Sequence, residues 1–277
     1  MNRLQPLLRP AGACQGYQSW KDLLFLHWEV PVEALKPLVH PRLSIDTHGG
    51  RAYIGVVAFS MRQVRPFRWW FSMPTATNFY ELNVRTYVHL DGEQPGVWFL
   101  SLDANSTLAT LAARSLWSVP YYRGNFEVLR EEQRWHYPFK RSWPRPTPAS
   151  FSARYQVHEA LPESTDGSLQ FFLAERYGFY SAGRGGALFH ASVHHRPYAL
   201  HRAGLEHSDD KLLSVCGVTQ LGAPTDALFS PGVDVEIFSQ RRVAKYSAPE
   251  VSGRSMRQRG RAEQKRGFFS PIEHFVE

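Results

Sequence analysis

Side chains that can transfer protons or bind anions alternate with apolar ones between positions 81 and 88. The polar parity consists of Glu81, Asn83, Arg85 and Tyr87, and the other parity includes Leu82, Val84 and Val88. A carboxylate can move a proton, and a guanidinium can hold a carboxylate or an enolate oxygen. Polar residues also alternate outward on an ordinary half-exposed sheet, but groups of mixed charge and hydrogen-bonding type favour a ligand cavity.

The alternation predicts a β-strand, and the residues after it predict a hairpin partner. Asp91-Gly92 and Pro95-Gly96 bound a turn, after which residues 97–103 return. We expect the apolar parity to pack under outer helices, which turns the polar parity toward the interior. Along one strand Glu81 and Arg85 are about 13 Å apart, so each needs a partner from another strand.

Candidate partners lie on the hairpin mate and farther along the chain. They are Ser101 and Asp103 on the mate, and Glu175, Arg176 or Tyr177 in the later ERY sequence. A slip of one residue in the hairpin would place Arg85 and Asp103 on opposite faces of the sheet. The sequence leaves this register open.

Two segments carry helix signals. Asn105 or Ser106 can cap a helix that Pro120 ends, with an apolar stripe at positions 108, 111, 112 and 116. A shorter helix is predicted from Val30-Pro31 to Leu38.

The remaining periodic segments predict strands. Residues 169–180 and 187–196 are interpreted as two strands joined by a glycine-rich turn. Further strands are predicted within residues 125–139 and from residue 150. Strands therefore dominate the predicted structure.

Length and composition indicate one large β-rich domain. The 277 residues are 43% hydrophobic and 14% aromatic, enough for a sizeable single core. We predict a mainly β (α+β) fold with residues 17–243 as one domain, residues 1–16 as an N-terminal arm and residues 244–277 as a basic, disordered tail. The cysteines, Cys14 and Cys216, offer no disulfide framework, which favours a reducing cytoplasmic location.

The net charge of +7 is concentrated near the C-terminus. Residues 241–277 hold nine Lys or Arg and four Glu, a net +5, which leaves +2 for residues 1–240. Without a recognition fold, such a tail predicts at most weak, non-specific contact with nucleic acid. The N-terminus has no apolar core of signal-peptide length and no run is long enough to span a membrane, so we expect neither secretion nor membrane binding.

The sequence contains no metal, nucleotide or hydrolase motif. His190 and His194 would lie about 13 Å apart on a predicted strand, too far for one metal ion. The GRGG run at residues 183–186 lacks the helix that follows a phosphate-binding loop. We therefore predict no cofactor and no metal.

Several motifs in a fixed order resemble one bacterial protein family. They are WKDLLFLHWEVPVEAL at 20–35, ELNVRTYV at 81–88, PGVWFLSLDA at 95–104, AAR at 112–114, VPYY at 119–122 and FLAERYGFYS at 172–181. In this order they resemble the YqjF-like family, domain of unknown function 2071. The resemblance covers residues 15–240.

The resemblance implies the fold of acetoacetate decarboxylase, an antiparallel, cone-shaped β-barrel with helices packed outside. It also implies that Tyr121 and Tyr122 stand where the decarboxylase has a Pro-Lys-Lys run, so that the lysine that would form a Schiff base is missing. Lys21 falls roughly where the decarboxylase carries an active-site arginine, and is interpreted as a carboxylate-binding cation at most.

Two functional hypotheses follow. In the first, the protein is a small-molecule enzyme in which Arg85 holds a carboxylate or enolate oxygen, Glu81 moves a proton and Tyr121 donates a hydrogen bond. In the second, a non-catalytic ligand-binding or partner-binding module uses these residues as a structural polar network. We favour a small-molecule ligand, and a homo-oligomer is left open. The other predicted ligand-binding residues are Lys21, Asn83, Tyr87, Ser101, Asp103, Tyr122, Glu175 and Tyr177.

The sequence predicts that the protein is not a Schiff-base decarboxylase. A phenol cannot form an imine, and an ordinary tyrosine stays a neutral donor at neutral pH. Borohydride added with acetoacetate or pyruvate should therefore leave the protein mass unchanged in mass spectrometry. A stoichiometric adduct on any of the six lysines would contradict this prediction.

The basic tail is predicted to contribute little to stability. Truncation after Val243 should change the free energy of unfolding by no more than about 0.5 kcal/mol, because few contacts are expected there. The truncated chain should also elute earlier from heparin. Unchanged retention on heparin would instead place the basic surface on the folded part.

Overall fold

One continuous sheet organises the part of the chain that the computed structural model describes. That part comprises residues 1–66, 78–107, 110, 119–143, 149–209, 211–219 and 221–243. Residues 1–243 group as one compact unit. The strands are β1 (Gly16–Val30), β2 (Ser44–Ile45), β3 (Ala52–Pro66), β4 (Phe79–Leu90), β5 (Glu93–Ala104), β6 (Tyr121–Phe126), β7 (Leu129–Glu131), β8 (Arg134–Trp143), β9 (Ser150–Ala160), β10 (Gly178–Ala182), β11 (Leu188–His194), β12 (His201–Asp209), β13 (Asp226–Ile237) and β14 (Arg241–Arg242).

The strands close into two rings that share five members. Pairing of β4 with β5 closes a large ring through β6, β8, β9, β12, β13, β1 and β3. Pairing of β5 with β10 and of β11 with β13 closes a small ring that reuses β13, β1, β3, β4 and β5. Strand β5 runs parallel to β6 and to β10, and the other described pairings are antiparallel. The prediction of a mainly β, largely antiparallel fold is confirmed.

Each shared strand sends alternate side chains into the two rings. Leu82 and Val84 of β4 join the core of the large ring, where Tyr137 and Phe151 lie on the opposite strands β8 and β9. Phe25 of β1 belongs instead to the core of the small ring. The apolar parity of β4 therefore faces the interior of the large ring, where strands β8 and β9 lie opposite. The sequence predicted outer helices in that place.

Helices are short in the described residues. They are α1 (Val32–Leu35), which a 3-10 turn at Lys36–Leu38 extends, α2 (Leu169–Ala174) and α3 (Lys211–Val215), with further 3-10 turns at Gln5–Leu7 and Arg184–Gly186. The predicted helix ending at Leu38 is confirmed. No helix of this part of the chain is long and apolar enough to cross a membrane.

The prediction of a strand over residues 169–180 is wrong in its first half. Ser168 caps α2, because its hydroxyl accepts a hydrogen bond from the Phe171 amide at 3.2 Å. Burial of residues 171–174 then stabilises the helical turn. The hairpin predicted with residues 187–196 forms from β10 and β11.

Two sequence predictions fall on residues that the structure leaves undescribed. These are the apolar helix stripe at positions 108, 111, 112 and 116 and the basic tail from residue 244. They stay predictions.

A buried ion pair links β5 to β8 inside the large ring. The Arg141 guanidinium donates to both Asp103 carboxylate oxygens at 2.7 Å and to the Ser101 hydroxyl at 2.6 Å. Ser101 donates in turn to Asp103 at 2.7 Å, and the Tyr122 ring lies 3.8 Å from the guanidinium carbon. Because Asp103 is fully buried, each of these groups depends on the others for its partners.

Breaking this ion pair should destabilise the fold strongly. Arg141→Met leaves the Asp103 carboxylate buried without its cation, which should cost about 3 to 5 kcal/mol of unfolding free energy in urea denaturation. Arg202→Met is the matched control, because its pair with Glu159 is exposed and should contribute little to stability. Equal losses in the two variants would contradict a structural role for the buried pair.

Candidate functional site

A cavity of about 170 Å³ lies inside the small ring. Each strand of that ring contributes to the wall, which β6 and the segments after α2 and β11 complete. Most of the wall is apolar, with Trp20, Met61, Val97, Phe99, Leu102, Val119, Phe179, Val193 and Ile237. The polar wall residues are Gln18, Glu81, Arg85, Tyr121, Arg176 and Tyr198.

Glu81 and Tyr121 form a hydrogen-bonded pair on this wall. The Tyr121 hydroxyl donates to Glu81 Oε2 at 2.6 Å, and only 3% of Glu81 is exposed. Burial raises the pKa of Glu81 to about 7, although hydrogen bonds from Tyr121 and Asn83 act in the opposite direction. Glu81 can therefore both give and take a proton near neutral pH.

Backbone geometry accounts for the position of Tyr121. Pro120 precedes it, and β6 begins at Tyr121, in parallel register with Leu102 of β5. Burial, and then the adjacent Glu81 carboxylate, raises the pKa of Tyr121 well above its ordinary value. Tyr121 is consequently a neutral hydrogen-bond donor across the physiological pH range.

Arg85 presents a buried cation to the cavity. The residue is 8% exposed, and its Nη2 donates to the Leu173 carbonyl at 3.0 Å. Its guanidinium carbon lies 5.6 Å from the ring centre of Phe25 and 5.7 Å from that of Tyr87. Among the described residues Arg85 forms no ion pair, and its Nε has no hydrogen-bond partner.

Arg176 is the member of the ERY sequence that reaches the cavity. Its Nε donates to the Phe172 carbonyl at 2.8 Å and its Nη1 to Asp46 at 2.9 Å. Burial lowers the pKa of Arg176 to about 10, which still leaves the guanidinium charged at neutral pH. The sequence offered three candidates in this motif without a reason to choose the arginine.

The neighbours of Arg176 have structural partners of their own. Glu175 accepts the Tyr198 amide at 2.9 Å and the Tyr177 hydroxyl, and burial raises the pKa of its carboxyl group. Tyr177 also stacks on His195, with ring centres 4.4 Å apart. Glu175 and Tyr177 thus lie behind the wall and support it.

Other predicted ligand-binding residues lie outside the cavity. Ser101, Asp103 and Tyr122 belong to the Arg141 cluster of the large ring, because Asp103 pairs with Leu82 and shares its face of the sheet. The register of β4 against β5, which the sequence left open, therefore places Arg85 and Asp103 on opposite faces of the sheet.

Lys21 lies on the outer surface. A register shift between β1 and β3 begins at Lys21, and the side chain is 42% exposed and 3.4 Å from Asp234. Within the described residues, no lysine lines the cavity.

Two members of the polar parity of β4 are buried close to the cavity. Tyr87 donates to the Leu173 carbonyl at 2.8 Å and lies 2.7 Å from His27 Nε2. Asn83 is buried with its amide oxygen unpartnered among the described residues. Its hydrogen bond to Glu81 acts to lower the pKa of that carboxyl group. Burial, followed by the nearby arginine charges, lowers the pKa of His27, so that His27 stays neutral.

Sequence reasoning missed several wall residues. Gln18 and Trp20 of β1 precede the register shift at Lys21, and Tyr198 follows β11 in a loop. Gln18 and Trp20 are two positions apart, so a strand pattern would have placed them on the same face of β1. No sequence signal indicated that Tyr198 would fold back against Phe25, 5.3 Å away between ring centres.

The chain resembles known proteins over most of its length. The family DUF2071, described as an uncharacterized conserved protein, matches residues 17–234. Uncharacterized protein YqjF of Bacillus subtilis (strain 168) is 36% identical over 202 residues, which cover 73% of this chain and 81% of that protein.

Solved structures share the fold at low sequence identity. The enduracididine biosynthesis enzyme MppR complexed with pyruvate aligns with a TM-score of 0.59 and 10% identity, covering 86% of this chain and 93% of that one. Acetoacetate decarboxylase from Legionella pneumophila aligns with a TM-score of 0.57 and 14% identity, covering 87% and 93%. These likenesses confirm the acetoacetate decarboxylase-like fold. On the family match and the 36% identity to YqjF, the chain belongs to the DUF2071, or YqjF-like, family.

Proposed function

We propose that the protein binds a small carbonyl or carboxylate compound in the small-ring cavity and moves a proton on it without forming a Schiff base. The observation that carries this proposal is the buried pair of Glu81 and Tyr121, joined at 2.6 Å on a wall that also holds Arg85. An acid, a hydrogen-bond donor and a cation thus line one cavity, as acid–base catalysis requires.

The proposed step is proton abstraction from the carbon next to a carbonyl. The Glu81 carboxylate takes the proton, and the electrons of the broken C–H bond move onto the carbonyl oxygen to give an enolate. Arg85 stabilises that oxygen or an adjacent carboxylate with its unpartnered Nε. Once Glu81 is protonated it accepts more weakly, and Tyr121 can turn its hydrogen bond to the enolate. Return of the proton restores the starting state.

The absence of a Schiff-base lysine is part of the proposal. The sequence resemblance puts Tyr121 at the position of that lysine, and no lysine of the described residues lines the cavity. MppR, a fold neighbour, has been solved with pyruvate. Pyruvate is therefore a reasonable first probe for a site of this type.

A second candidate is a non-catalytic ligand-binding or partner-binding module. It is favoured by the hydrogen bonds that satisfy Tyr87 at His27 and Leu173, which form a structural network beside the cavity. A module of this kind would bind the probe without exchanging its protons. Measuring proton exchange on the bound probe therefore separates the two functions.

The wild-type protein should exchange the methyl protons of pyruvate for deuterium in heavy water, followed by proton NMR. Glu81→Gln should slow the exchange by about a hundredfold or more, since amide nitrogen and oxygen cannot take the proton. Arg85→Met should also slow it, because the enolate loses its cation. Binding of pyruvate without protein-dependent exchange would favour the non-catalytic module.

The exchange rate should depend on the protonation of Glu81. With a pKa of about 7, the basic carboxylate form increases as the pH rises through that value, so the rate should rise and then level off. Asp226→Asn is the control, because burial also raises the pKa of Asp226 but its side chain lies outside the cavity wall. A rate that falls through pH 7, or an Asp226→Asn effect equal to that of Glu81→Gln, would contradict the role of Glu81.

A further inference from the structure

We propose that Arg176 and Arg85 form a two-arginine clamp for a carboxylate in the cavity, and that Arg3 of the N-terminal arm positions Arg176 through Asp46. This role deepens the proposed function and rests on it, since it assigns the anionic group of the ligand to a particular place. It also makes the arm, which the sequence separated from the domain, part of the ligand site.

Three arginines lie around two aromatic rings next to the cavity. The guanidinium carbons of Arg3 and Arg176 are 4.9 and 4.3 Å from the ring centre of Phe172, and that of Arg85 is 5.7 Å from the ring centre of Tyr87. Aromatic faces reduce the cost of burying a cation but do not neutralise it. Among the described residues only one carboxylate forms ion pairs with this group of three.

That carboxylate is Asp46, which is 2% exposed. Arg3 occupies both of its oxygens, with Nη1 and Nη2 each at 2.7 Å. Arg176 reaches one of the same oxygens with Nη1 alone at 2.9 Å. Burial would raise the pKa of Asp46, but the hydrogen bonds and charges of Arg3 and Arg176 lower it, so one fixed negative charge faces two cations.

The sharing of Asp46 leaves Arg176 with a donor to spare. Its Nε bonds to Phe172 and its Nη1 to Asp46, while Nη2 is buried without a hydrogen-bond partner in the described part of the chain. Arg176 is 7% exposed and lines the cavity. A buried, charged and unpartnered N–H group is costly, which points to an anion that is present when the site is in use.

Arg85 contributes the second unpartnered donor. Its Nε is buried without a partner, and the carbonyl that Arg85 Nη2 contacts belongs to Leu173, next to the Phe172 carbonyl that holds Arg176. Two consecutive carbonyls at the end of α2 thus accept one hydrogen bond from each guanidinium. Two like charges held together inside a protein favour a ligand that carries the opposite charge.

The other acids near the site form hydrogen bonds elsewhere. Glu175 is held by the Tyr198 amide and the Tyr177 hydroxyl, and burial raises the pKa of its carboxyl group. Glu81 is held by Tyr121 at 2.6 Å. Neither forms an ion pair with Arg85 or Arg176 in the described residues.

Arg3 sets the geometry of the clamp from a segment outside the sheet. It precedes the 3-10 turn at Gln5–Leu7, and Arg9 fixes the same segment to Glu236 at 2.6 and 3.0 Å. If Arg3 is removed, Asp46 has both oxygens free for Arg176 alone. Arg176 can then bring Nη2 to the second Asp46 oxygen in a bidentate pair, the geometry that a guanidinium and a carboxylate favour, and is no longer oriented for the ligand.

The test measures binding of pyruvate and succinate, each against its neutral amide, by ligand-observed NMR titration. The wild-type protein should bind each acid more tightly than its amide. Arg176→Gln should weaken acid binding by about tenfold and Arg3→Gln by several-fold, while both variants bind the amides as the wild type does. Arg9→Gln is the matched control, because it removes an exposed ion pair of the same segment and should change acid binding by less than about twofold.

The amides distinguish loss of the clamp from damage to the fold, since a distorted cavity would bind acid and amide equally badly. If Arg176→Gln does not fold, Arg176→Lys and Arg3→Gln carry the same comparison. Equal wild-type affinity for acid and amide, or unchanged acid binding in Arg3→Gln, would overturn the corresponding part of the proposal. Failure of proton exchange with an intact preference for acids would remove the proposed catalysis and leave the clamp in place.

Discussion

The register of β4 against β5 determines which polar groups face which ring. Val84 pairs with Ser101 but Arg85 pairs with Phe99, so one residue of β5 is extra at this point. The bulge directs Phe99 and Val97 into the cavity and turns Trp98 away, where its indole donates to the Leu38 carbonyl at 3.0 Å. With a regular register, Trp98 would fill the space that the ligand is proposed to take.

The two faces of the shared strands treat buried charge in opposite ways. On the large-ring face, Arg141 and Asp103 neutralise each other through two hydrogen bonds. On the small-ring face, Arg85 has aromatic neighbours and a carbonyl but no anion among the described residues. A paired buried charge holds the fold together, whereas an unpaired one beside a cavity is a candidate for binding a ligand of opposite charge.

Local patterns in the sequence were enough to predict β4, its hairpin with β5 and the inward polar parity. They were insufficient wherever a distant strand decided the outcome. The bulge opposite Arg85 has no sequence signature, so the separation of Arg85 from Asp103 could not be predicted. Residues 169–174 alternate too little to distinguish strand from helix, and the Ser168 cap decided in favour of a helix. Arg3 was overlooked because its partner, Asp46, lies in a short loop with no pattern of its own.

The pairing of the first strand with the last long one has a consequence for synthesis. Strand β1 is hydrogen-bonded to β13 from Gly16 with Ile237 to His27 with Asp226, so both rings include a pairing between residues 199 to 221 positions apart in the chain. During translation β1 emerges early, yet one of its edges stays unpaired until β13 has left the ribosome. Exposed strand edges pair readily with other chains. Until β13 is made, β1 therefore presents an edge that the finished fold conceals.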